Sequence, residues 1–134
     1  MGSRNAATWM EMAKSCIDGS VVLSRKNTAR SAVSRAYYAC HAAAHAVIVH
    51  LEPTAVGSRS IPHGELPIEF QRVVSACIPD RGKASSRLAS ELGAVYSARK
   101  HADYHPESDV DSDAVNEAIR CAGRFFRFAR EVFE

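Results

Sequence analysis

No run of apolar residues in this 134-residue chain approaches the length of about 18 that a membrane-spanning helix requires. The N-terminus also lacks the basic, apolar and small-residue order of a secretory leader, so the expectation is a soluble, cytoplasmic protein with no membrane partner. Strand-like alternation is missing throughout, as are internal repeats and low-complexity tracts, which argues against sheets, solenoids and binding tails. Charge of one sign is scarce too. Seventeen Lys and Arg against fifteen Asp and Glu leave +2, too little to read nucleic-acid binding from the total. The four cysteines, Cys16, Cys40, Cys77 and Cys121, form no Cys-x-x-Cys pair. Their wide spacing fits reduced, buried small hydrophobes better than a zinc site or a disulfide frame.

What is present is ordinary globular material, 46% hydrophobic and 24% charged. A chain of this length makes one domain that buries roughly two thirds of its unfolded surface. Residues 1–134 therefore read as a single domain, with residues 1–4 set aside as a tag or a disordered start. Apolar positions recur at three- and four-residue steps through Trp9, Met10, Ala13, Cys16, Ile17 and Val21, which predicts an amphipathic helix over residues 5–25. Residues 28–51 are apolar nearly all round and rich in alanine, as a helix in the middle of a bundle must be. Residues 52–65, with Pro53, Gly57, Pro62 and Gly64, predict a long loop. Pro67 suits the first turn of a third helix with a core face of Phe70, Val73, Val74, Cys77 and Ile78. A fourth helix from about Ser85 presents Leu88, Leu92, Val95 and Tyr96 and is stopped by Pro106. The last, capped by Asp111 or Ser112, carries a stripe of Val115, Ile119, Ala122, Phe126, Ala129 and Phe133. The predicted fold is all-α, an up-and-down bundle of about five helices.

Basic residues cluster at Arg81, Lys83 and Arg87 ahead of the fourth helix and at Arg120, Arg124, Arg127 and Arg130 along the last, while Asp109, Asp111, Asp113 and Glu117 gather at that helix's start. Acid first and base last is what the helix dipole favours, so a solvated face is preferred to a nucleic-acid patch. His41 and His45 share a helical face at the spacing of a zinc half-site, but no third ligand is evident. Packing within the bundle, or a place beside a groove, fits them better. The polar-rich helix junction is Ser97-Ala-Arg-Lys-His-Ala-Asp-Tyr-His105, followed by Pro106. Arg99 and His105 lie on either side of a helix end, where side chains can converge on a ligand, whereas the similar Arg35-to-His41 pair falls mid-helix. Arg99 and Asp103 also have the i, i+4 spacing of an ion pair that simply ends a helix.

Three segments carry a resemblance to a known family: Ser34-Arg-Ala-Tyr-Tyr-Ala-Cys-His41, then His63-Gly64 with Phe70, then Tyr96 through His105. In this order they resemble the HEPN-domain proteins, particularly the small stand-alone prokaryotic type associated with minimal nucleotidyltransferases. The resemblance implies a helical bundle and a homodimer. It also implies one of two functions. The first is the toxin of a toxin–antitoxin module, a metal-independent endoribonuclease working through an Arg-x5-His motif with no cofactor. The second is a non-catalytic module that partners a nucleotidyltransferase or holds a nucleotide or other small ligand. In the first, Arg99 and His105 are catalytic, and Lys100, His101, Asp103 and Tyr104 bind or orient substrate. Tyr104 is also the residue to which a partner nucleotidyltransferase would attach nucleotide. The chemistry suits the residues: imidazole exchanges protons near neutrality, and guanidinium matches two phosphate oxygens while staying charged.

Overall fold

The computed structural model describes residues 2–25, 28–56, 61–104, 110 and 112–134. Five long helices carry the chain: α1 (Gly2–Arg25), α2 (Ala29–Leu51), α4 (Leu66–Cys77), α5 (Gly82–Tyr104) and α6 (Ser112–Phe133), with a one-turn helix α3 (Pro53–Val56) after α2. No strand occurs among the described residues. The architecture is the expected all-α bundle. α1 takes in residues 2–4 as well, and α3 occupies part of the segment predicted as loop. A 3₁₀ turn over Pro79–Arg81 runs straight into α5, so Lys83 and Arg87 lie within that helix and not ahead of it.

α2 is the hub, packing against α1, α4, α5 and α6. Every residue from Ala39 to Val49 is buried. Ala36, Ala39, Ala42, Ala43, Ala44 and Ala46 are completely covered. Alanine is the strongest helix former and the smallest side chain with a Cβ, so this run both propagates the helix and lets its neighbours come close. The larger core groups come from those neighbours. Phe70 of α4 meets Phe125 and Phe128 of α6 at centroid separations of 5.2 and 5.7 Å. Burying an aromatic or aliphatic side chain of this size is worth about 1.5–3 kcal/mol.

Two sequence expectations shift. On α4, Phe70, Val73 and Val74 are buried as predicted, but Leu66 joins them while Cys77 is exposed and Ile78 half-buried. Cys77 is thus the exception among the four cysteines, the other three being buried. α6 is rotated from the expected stripe: Val115, Ala122 and Ala129 are buried together with Ala118, Cys121, Phe125 and Phe128. Ile119, Phe126 and Phe133 flank that stripe half-buried.

Polar contacts fix how the helices meet. The Ser20 hydroxyl donates to the Ala32 carbonyl across α1 and α2 at 2.7 Å, and the Arg30 guanidinium donates to the Ala102 carbonyl in the last turn of α5. The second contact places a cation against the negative end of the α5 dipole. Arg124 reaches Glu91 of α5 at 3.1 Å, and Arg81 of the 3₁₀ turn reaches Glu131 at 2.9 Å, pinning α6 to both, while Glu117 of α6 itself holds Arg124 at 2.8 Å. These pairs are largely solvated and each adds about 1 kcal/mol at most.

Candidate functional site

On α2, the spacing of four residues stacks Tyr37, His41 and His45 along one side, with Tyr38 on the adjacent side. α5 runs past them and contributes Tyr96, Arg99 and Lys100 from its last two turns. His63 arrives from the turn just ahead of α4. These residues form a continuous set of rings. His41 lies 4.3 Å from His45 and 4.9 Å from His63 between ring centroids. His63 stacks on Tyr96 at 5.3 Å with planes 14° apart, and its Nδ1 is hydrogen-bonded to the Tyr37 hydroxyl. Behind them Trp9 of α1 stacks on His45 at 4.4 Å.

Arg99 is the cation of this set. Its guanidinium carbon sits 5.5 Å from the Tyr37 ring centroid and 5.0 Å from that of Tyr38. Attraction to the negative ring faces holds it there. Asp103, one turn on, brings a carboxylate oxygen to 3.5 Å from the Arg99 Nε. That is an ion pair by distance without hydrogen-bond alignment, since the buried Nε has no hydrogen-bond partner among the described residues. Arg99 therefore has a fixed position. Lys100 adds a second, exposed charge 5.3 Å from the Tyr96 ring.

The imidazoles differ in how much of their hydrogen-bonding capacity is taken. His45 is fully committed: its Nδ1 donates to the His41 carbonyl at 2.8 Å, and its Nε2 accepts from the Ile61 amide at 2.9 Å. Both bonds require the neutral ring, and burial lowers its pKa accordingly. His41, 7% exposed, has an Nε2 with no partner among the described residues. Burial first, then the neighbouring His45, His63 and Arg99, pull its pKa down to about 3. His63 is only half-buried, and its pKa is lowered by burial and then by Arg99. At neutral pH the site thus presents one fixed guanidinium beside uncharged imidazoles and aromatic faces. It can hold a phosphate, stack a base and accept a proton. Among the described residues no three His, Cys, Asp or Glu converge as metal ligands.

Of the residues singled out from the sequence, Arg99 is at the centre, Asp103 is its ion partner and Lys100 stands at the rim. His101 is exposed on α5. The side chain of Tyr104 and the whole of His105 lie outside the described residues. Arg35, the other arginine considered, is exposed and passes Gly19 of α1, so it does not pair with buried His41. The convergence of Tyr37, Tyr38, His41 and His63 on Arg99 was not foreseen. Each had been quoted within a family-like segment, and that shared membership was the available signal.

No curated protein and no solved structure matches the chain. The family model for the HEPN domain matches residues 6–132, from the start of the described α1 side chains to the end of α6. The three segments that meet around Arg99 all fall inside that match, and the chain belongs to the HEPN domain family.

Proposed function

We propose that the protein is a metal-independent endoribonuclease, the toxin of a HEPN/nucleotidyltransferase toxin–antitoxin module, with Arg99 and His105 as its catalytic pair. The observation that carries this reading is the state of Arg99: a guanidinium held on two tyrosine faces and paired with Asp103, so that its charge has a fixed position. Cleavage through a 2′,3′-cyclic phosphate builds extra negative charge on phosphorus, and a cation already in place stabilises it without reorganisation. His105 exchanges a proton with the reacting oxygens, Lys100 attracts the backbone, and Tyr104 stacks a base. The working form is a two-fold dimer that brings two Arg-to-His segments into one cleft. In this reading Tyr104 also accepts nucleotide from the antitoxin, which silences the site.

The test is cleavage of an RNA panel in excess EDTA. Wild type should cut, leaving 2′,3′-cyclic phosphate ends. Arg99→Ala and His105→Ala should each lose cleavage and toxicity while keeping the thermal midpoint. A second reading has its own support. Two cations beside the stacked His63–Tyr96 rings and the exposed Tyr38 form a nucleotide-sized platform without need of catalysis. Wild type that cuts no RNA yet binds a nucleotide or a nucleotidyltransferase, with binding lost in Arg99→Ala, establishes that non-catalytic module instead.

A further inference from the structure

We infer that His63 is the general base of the proposed cleavage, the group that takes the proton from the attacking 2′-hydroxyl. This rests on the ribonuclease reading and adds to it a residue from outside the Arg99-to-His105 segment. The reaction moves two protons on opposite sides of phosphorus, and that segment offers His105 for one of them; its other imidazole, the exposed His101, stands two residues from Arg99 on α5 and so does not share its face. The described residues offer several others, and their surroundings separate them. His45 has both nitrogens engaged, and the Nε2 of His41 is sealed from solvent. His50 packs against Phe133 at 4.7 Å, near the end of α6. His63 alone of this set is half-open and also within the field of Arg99, and the two approach the same Tyr37 ring, at 5.4 and 5.5 Å from its centroid.

Its attachments are those of a base. Stacking on Tyr96 sets the ring plane, and the hydrogen bond at Nδ1 sets the edge. Burial raises the pKa of the Tyr37 hydroxyl, so that hydroxyl stays protonated and uncharged. A protonated hydroxyl both donates and accepts; in the base-competent tautomer its oxygen accepts Nδ1–H of His63, which leaves the lone pair on Nε2, and that hydrogen bond persists when Nε2 gains a proton. The groups around His63 are Tyr37, Tyr38 and His41 from α2 and Tyr96 and Arg99 from α5, with Lys100 beyond Tyr96. None of these is a carboxylate, so among the described groups around it no negative charge holds a proton on the resting imidazole. In the step itself the 2′-oxygen–phosphorus bond forms and the phosphorus–5′-oxygen bond breaks. The 2′-proton passes to His63 Nε2, and the imidazolium of His105 protonates the leaving 5′-oxygen.

The experiment compares two oligoribonucleotides, one ordinary and one with sulfur in place of the scissile 5′-oxygen, in EDTA. A thiolate leaves without an acid's help, so it relieves the loss of an acid but not of a base. His63→Gln should lose about 10²–10⁴-fold on both substrates. The acid limb of its kcat/KM pH profile should disappear, and added imidazole should restore His63→Ala. His105→Gln should recover on the sulfur substrate. If the sulfur substrate rescues His63→Gln, or if that variant cuts at the wild-type rate with its acid limb unchanged, His63 is not the base, and the ribonuclease reading stands. If wild type cuts neither substrate, both fall.

Discussion

His41 is enclosed on α2 with its Nε2 unpartnered among the described residues, and its pKa is pulled from 6.5 to about 3. Between those values the unfolded chain binds a proton that the folded chain refuses, so this contribution to stability is complete above about pH 6.5 and is lost as pH falls toward 3. The lowered pKa values of His45 and His63 act in the same direction. Replacing His41 by leucine, which leaves no polar atom to desolvate, should remove close to one proton from the acid transition. The slope of unfolding free energy against pH, from urea titrations at about pH 4 to 6, should flatten by about 1.4 kcal/mol per unit. An unchanged slope would assign the titration to another group. At this scale the sequence was only partly readable. The i, i+4 pairing of Arg99 with Asp103 follows from spacing alone. The approach of His63 to Tyr37 joins positions 26 residues apart, and no local pattern encodes it.

The helices were far more legible than their rotations. α2 is apolar nearly all round and has only one place to go. α6 offers phenylalanines at 125, 126, 128 and 133, and these support two overlapping stripes. Which stripe is buried depends on where α4 presents Phe70, a tertiary fact. Phe125→Ala should therefore cost about 3–5 kcal/mol, as a fully enclosed aromatic does. Phe126→Ala, at a half-buried position, should cost distinctly less in the same denaturant titration. Equal losses would contradict the observed face. Cys77 was misjudged for a related reason. It continues the three- and four-residue rhythm of α4, but that helix ends at Cys77 and the chain turns away into Pro79 before anything covers it.

For the molecule as a whole, the fold class followed from absences and from one unusual helix, because a long apolar segment without strand alternation leaves few alternatives to a bundle. Assembly lies beyond what one chain displays. The proposed dimer should appear in light scattering at micromolar concentration as twice the chain mass. Arg99→Ala should keep that mass while losing cleavage, whereas a monomeric wild type would remove the two-segment cleft from the proposal. The ring set around Arg99 also extends through the bundle's depth. Trp9 lies under His45, His45 holds the Ile61 amide, and two residues later the chain delivers His63 to Tyr37. Position 9 would thus touch no substrate and carry no charge, yet it underlies the alignment of His63. Under the proposed function, sequence variation there is subject to the tolerances of the reaction as well as those of the core.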